Sequence, residues 1–143
     1  MTADTQSVRI LAPADEVFRF MSDPARLDLW SFGTWRTEIA SDGLVHGWAM
    51  ATGAEIWLKI AAHPDQLLID YHLGQAADAL QPRIFARIVP GDVTGHEGSL
   101  LLMTALRGAG MDDDRWSGLI AAHGAELRII KGLIETGYDH RTG

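Results

Sequence analysis

The chain has 143 residues, with 12 Lys and Arg against 19 Asp and Glu, a formal net charge of −7, and no cysteine. This length suits one domain, which we place over residues 1–143. The lack of cysteine excludes disulfides and thiolate sites. The acidic balance, with no Lys/Arg cluster, argues against binding nucleic acid or an anionic membrane surface. No apolar run approaches the roughly 20 residues of a membrane span, so no integral membrane association is predicted.

The absence of several sequence motifs excludes further classes of function. The first ten residues, MTADTQSVRI, have neither the basic start nor the apolar stretch of a signal peptide, so we expect a cytoplasmic location. The sequence contains no HExxH, no His-x-His pair and no phosphate-binding glycine loop. No serine stands in a nucleophile elbow. We therefore predict neither a metal site nor a cofactor.

The first 30 residues predict a strand and two short helices. The strand covers about residues 7–11. Pro13 stands where the first turn of a helix tolerates proline. The helix that follows carries an apolar stripe at helical spacing: Val17, Phe18 and Met21. Ser22 or Asp23 can cap a second helix over residues 24–30.

Six further strands are expected between residues 35 and 106. They cover about 35–39, 45–50, 54–62, 67–73, 84–89 and 98–106. Short turns join them, and Asp42-Gly43 is a strong two-residue hairpin signal. Consecutive strands joined in this way form an antiparallel sheet, because parallel neighbours would need crossover helices.

A long amphipathic helix is predicted at the C-terminal end. Its start is marked by the acidic run at residues 112–114, and Gly137 is placed to end it. Its continuous apolar stripe consists of Trp116, Ile120, His123, Leu127, Ile130 and Ile134. The predicted fold is therefore α+β, a curved antiparallel sheet of about seven strands wrapped around a long C-terminal helix. One helix cannot fill that concavity, so large side chains or a cavity must occupy the rest.

Two segments near the N-terminus resemble a known family. They are ILAPADEVF at residues 10–18 and SDPARL at residues 22–27, followed by Trp30. Together with the order of elements, they resemble the START-like superfamily, also called SRPBCC or helix-grip proteins, which includes pollen allergens and polyketide cyclase/dehydrase-like proteins. The resemblance implies a deep apolar pocket between the sheet and the C-terminal helix. It implies no single chemistry.

His123 and Tyr71 are the candidate catalytic residues. His123 is a polar group within an apolar helix stripe, and Tyr71 shares a strand face with Ile69 and Leu73. Both could instead be ordinary core residues. Glu126 lies one turn from His123, but its position drifts off the apolar face, so no site is predicted there. The expected ligand-binding residues are Trp30, Tyr71, Trp116, Ile120, His123 and Leu127.

Three functions remain open. The first is binding of a small apolar molecule that resembles a lipid, a polyketide or an aromatic compound. The second is a cofactor-independent cyclase or dehydratase that uses His123 and Tyr71 as acid and base. The third is an interaction module without a pocket. On the outer face of the sheet, Trp57 could lie at a homodimer contact, while Glu55 and Arg83 are expected to be solvated charges.

Overall fold

A computed structural model describes residues 2–142 and contains seven strands and four α-helices in this range. The strands are β1 (Ala3–Ile10), β2 (Arg36–Ile39), β3 (Val45–Trp48), β4 (Glu55–His63), β5 (Leu68–Gly74), β6 (Gln81–Pro90) and β7 (Ser99–Leu106). The helices are α1 (Ala14–Ser22), α2 (Leu27–Trp30), α3 (Gly91–Thr94) and α4 (Asp113–Thr136). Within the described range, no helix is both long and apolar enough to cross a bilayer.

The seven strands form one antiparallel sheet in the order β1-β7-β6-β5-β4-β3-β2. Each strand from β2 to β7 pairs with its neighbour in the chain, whereas β1 pairs with β7. The predicted α+β fold is confirmed: a curved sheet, two short helices after the first strand, and a long C-terminal helix. The strand β1 is longer than predicted, because the polar residues from Ala3 onward pair with β7 along its whole length.

The two N-terminal helices follow the sequence signals. Pro13 precedes α1, whose buried residues are Val17, Phe18 and Met21. The Asp23 side chain accepts a hydrogen bond from the backbone N–H of Ala25 at 3.0 Å, which caps the next turn. The 3₁₀ turn Pro24–Arg26 then leads directly into α2. These helices close one end of the concave sheet, since α1 packs on β6 and β7.

Both ends of α4 are capped. The Asp112 carboxylate accepts a hydrogen bond from the Arg115 N–H at 2.8 Å. At the other end, Gly137 adopts φ 69° and its N–H donates to the Leu133 carbonyl at 2.9 Å. This left-handed cap favours glycine, which has no Cβ to clash.

Hydrogen bonds between side chains and backbone join α4 to β1. Gln6 donates to the Ile120 carbonyl at 3.2 Å. Further along, Lys131 donates to the carbonyl of Arg9 at 2.7 Å. These contacts place α4 along β1, at one side of the concave sheet. The helix therefore leaves space between its other side and the central strands.

Candidate functional site

A cavity of about 350 Å³ lies between the concave face of the sheet, α2 and α4. Its walls are mainly apolar: Leu27, Trp30, Phe32, Ile56, Leu58, Leu73, Ile84, Met103, Ala105 and Leu119. Five exposed residues also line it: Thr52, Ala54, Glu55, Gln75 and Arg115. The volume lies toward the lower end of the range found for small-molecule pockets.

Three unsatisfied polar atoms belong to residues that line this cavity. Among the described residues, the buried side-chain atoms without a hydrogen-bond partner are Nε1 of Trp30, Oγ1 of Thr34 and Nε2 of His123. All three residues line the cavity. Buried polar groups are normally paired, so these three atoms are exceptions within the mainly apolar wall.

His123 is held by a carboxylate from β1. It is only 3% exposed, and its Nδ1 lies 3.1 Å from Oδ2 of Asp4. The same oxygen accepts a hydrogen bond from Nε2 of Gln6 at 2.7 Å. A carboxylate only accepts, so this contact places the ring proton of His123 on Nδ1. In the neutral ring, Nε2 then carries the lone pair.

Glu126 also lines the cavity, although the sequence predicted no site at this position. Its Oε2 accepts a hydrogen bond from the backbone N–H of Phe32 at 3.0 Å. Burial raises the pKa of Glu126 to about 7, although hydrogen bonds from Phe32 and Ser31 act in the opposite direction. The Glu126 carboxyl group is therefore partly protonated near neutral pH.

The orientation of α4 explains why Glu126 was missed. The helix residues in the cavity wall include Leu119, Ala122, His123 and Glu126. Positions 119, 122 and 126 have i, i+3, i+7 spacing and lie beside the apolar stripe, which packs toward β1 and the core. His123 lies where the two faces meet. The sequence contains one signal for this cavity-lining face: the spacing of residues 119, 122 and 126, with His123 four residues after Leu119.

Tyr71 lines the cavity but has its hydroxyl engaged elsewhere. The hydroxyl donates to the backbone carbonyl of Met21, and the ring packs edge-on against Trp30 with centroids 6.1 Å apart. Burial, with the nearby charge of Glu126, raises the pKa of Tyr71 far above its usual range. Tyr71 is therefore positioned as a wall residue and holds α1 against the sheet.

The predicted ligand-binding residues divide into two groups. Those that line the cavity are Trp30, Tyr71 and His123. The structure places the other three, Trp116, Ile120 and Leu127, outside the lining: Trp116 and Leu127 are buried, and Ile120 is half-buried. Leu127 belongs to the main hydrophobic core.

The outer face of the sheet carries an aromatic stack. The half-buried Trp57 stacks on His46 with ring centroids 4.4 Å apart, and the ring centroids of Trp48 and His46 are 4.1 Å apart. Glu55 is exposed as expected and contacts Nε2 of His46 at 3.0 Å. Arg83 differs from the prediction of a solvated charge, because it is half-buried and donates to the carbonyl of Leu106 at 3.2 Å.

Comparisons with known proteins establish the fold. No protein-family model and no curated protein matches the chain. Solved structures do match. The Zhui aromatase/cyclase from Streptomyces sp. R1128 has a TM-score of 0.68 and 20% identity, covering 99% of this chain and 98% of that chain. A START superfamily protein from Mycobacterium smegmatis has a TM-score of 0.65 and 16% identity, with 96% and 100% covered.

A third structure belongs to another kind of protein. The Aha1 dimer from Colwellia psychrerythraea has a TM-score of 0.69 and 13% identity, covering 97% of this chain and 100% of that chain. The architecture and these matches define the class: the chain has the START-like, or helix-grip, fold. Because this fold hosts several functions, the function has to be inferred from the cavity.

Proposed function

We propose that this protein binds a small, mainly apolar molecule with one or more oxygen groups in the cavity between the sheet and α4. The observation that supports it best is the set of three unpartnered polar atoms, on Trp30, Thr34 and His123, around an apolar cavity of about 350 Å³. An apolar cavity with a few convergent polar groups is the usual form of a ligand site.

The polar atoms of the cavity-lining residues indicate which groups the ligand carries. The indole N–H of Trp30 only donates, so it needs an acceptor such as a carbonyl or ether oxygen. Thr34 and Glu126 can accept from a ligand hydroxyl. Each buried polar group left unpaired costs about 1–3 kcal/mol, which a ligand that pairs with it would recover. A hydroxylated or keto-substituted ring compound satisfies these requirements.

The alternatives have less support. The Zhui aromatase/cyclase and the START superfamily protein have similar folds, which fits ligand binding. A module without a pocket does not fit the cavity volume. A cyclase or dehydratase that uses Tyr71 as acid or base does not fit either, because the Tyr71 hydroxyl is committed to Met21.

N-Phenyl-1-naphthylamine tests the proposal, since this neutral dye becomes fluorescent in apolar surroundings. Its about 17 non-hydrogen atoms at about 0.3 kcal/mol each give about 5 kcal/mol, or a Kd on the order of 100 μM. Fluorescence titration should show saturable binding. Native mass spectrometry of freshly purified protein should reveal a retained small molecule where the cell supplies the natural ligand.

Two neighbouring alanines on α4 provide a matched pair of variants. Ala122 lines the cavity, whereas Ala121 is exposed. Ala122→Trp places an indole in the cavity and should weaken dye binding at least 10-fold. Ala121→Trp adds the same side chain at the surface and should bind like the wild type. Equal binding by all three proteins, or no binding by the wild type, would overturn the proposal.

A further inference from the structure

Asp4 and His123 have the arrangement of an oriented base. Asp4 contacts the Nδ1 edge of the ring, so the basic lone pair is on Nε2. Nε2 is buried and unpartnered within the described part of the chain, and the ring forms part of the cavity wall. Nε2 is therefore the ring nitrogen that is left for a molecule bound against this wall. A carboxylate that holds the other ring nitrogen is how proteins orient a histidine for proton transfer.

Glu126 adds a proton donor on the same helix face. It lies three residues after His123, so both side chains enter the cavity from adjacent positions on α4. Burial raises the pKa of Glu126 to about 7, so a large share of its carboxyl groups carries a proton at neutral pH. An acceptor and a donor of protons therefore face one apolar space.

We propose that His123 and Glu126, with Asp4 as the positioning residue, catalyse proton transfer on a carbonyl compound bound in the cavity, a proposal that rests on the ligand binding proposed above. Nε2 of His123 removes a proton from the carbon next to the carbonyl. The C–H electron pair forms the C=C bond, and the carbonyl oxygen takes the proton of Glu126. The product is the enol, with imidazolium and carboxylate left on the protein.

The reverse steps complete the cycle without another reactant. The imidazolium returns a proton to carbon, and the enol hydroxyl returns its proton to Glu126. When the proton returns to a different carbon, the result is an isomerised product. When the imidazolium first exchanges this proton with solvent and then protonates the same carbon, the result is hydrogen exchange with solvent. Apolar walls favour both steps, because they exclude the water that would compete for these protons.

Exchange of the hydrogens next to the carbonyl of β-tetralone in D₂O tests the proposal. The loss of their ¹H NMR signals should be faster with the wild-type protein than in buffer. His123→Asn retains an N–H that can face Asp4 but removes the base, and should lower the catalysed rate at least 100-fold. Glu126→Gln should lower it about 10-fold or more. His72→Gln changes a histidine on the opposite face of β5, and should leave the rate unchanged.

The Asp4→Asn variant tests whether Asp4 orients the His123 ring for proton transfer or only stabilises the fold. The amide can donate to Nδ1, which moves the ring proton of His123 to Nε2 and removes the base. Its catalysed rate should fall at least 10-fold, while β-tetralone displaces the naphthylamine dye as well as it does from the wild type. ¹⁵N NMR of the ring should show the changed tautomer. An unchanged tautomer and rate would overturn the role of Asp4.

Binding and chemistry are measured separately, so the two proposals fail in different ways. Displacement of the dye by β-tetralone without faster exchange overturns the proton-transfer proposal and leaves ligand binding standing. Failure of both probes to bind overturns both. Exchange that persists in His123→Asn overturns the assignment of the base. Where that variant does not fold, as judged by circular dichroism, His123→Gln takes its place with the same expected loss.

Discussion

The Glu126 carboxyl holds its proton more tightly in the folded chain than in the unfolded chain. Its pKa is 4.5 as an unperturbed group, and burial raises it to about 7 in the fold. Between these values the folded state binds one more proton than the unfolded state, so the free energy of unfolding falls as pH rises. Each pH unit in this window costs about 1.4 kcal/mol. From about pH 5 to about pH 8 the contribution of Glu126 falls by roughly 2–3 kcal/mol.

Urea denaturation of the wild type and of Glu126→Gln, at about pH 5 and about pH 8, measures this contribution. Glutamine retains an oxygen for the Phe32 N–H but does not titrate. The wild type should therefore lose roughly 2–3 kcal/mol more than the variant as pH rises. Glu97→Gln is the control, because Glu97 is exposed, and it should follow the wild type. Parallel pH dependence in the wild type and Glu126→Gln would refute the raised pKa.

Three further substitutions test the fold by their effect on the free energy of unfolding in urea. Asp112→Ala removes the cap on the Arg115 N–H and should cost about 1 kcal/mol; no loss would mean that the cap is not formed. Gly98→Ala should cost more than about 1 kcal/mol, because Gly98 has φ 81° and a Cβ there would clash with the carbonyl of Ile10. Thr34→Val removes a buried hydroxyl that has no partner among the described residues and should stabilise the protein by about 1 kcal/mol, whereas a loss would contradict this.

Part of the candidate site was accessible from the sequence. His123 is visible because a polar residue interrupts an apolar stripe, and Tyr71 because it alternates with Ile69 and Leu73. The hydrogen-bond partners of these two residues could not be predicted from the sequence. The partner of His123 is Asp4, 119 residues away, and the partner of the Tyr71 hydroxyl is the backbone of Met21. A hydrogen bond to a backbone carbonyl does not depend on the type of the partner residue, so the sequence does not reveal it. A partner that is distant in the chain has no fixed spacing by which it could be recognised.

The order of elements follows from local physics that the sequence contains by itself. Local signals act over a few positions: turn residues such as Gly43, the proline before α1 and the acidic cap of α4. The order of strands and helices could therefore be predicted from the sequence. Their spacing also determined that the sheet is antiparallel. Predicting these features required only the periodicity of apolar residues and the conformational preferences of glycine and proline.

Only the tertiary structure decided which side of α4 faces the cavity. The apolar stripe packs toward β1, where Gln6 and Lys131 join strand and helix, and the adjacent face with Glu126 borders the cavity. A helix can bury either of two neighbouring faces at similar hydrophobic gain. The choice depends on contacts between residues more than 100 positions apart, which periodicity along one helix does not record.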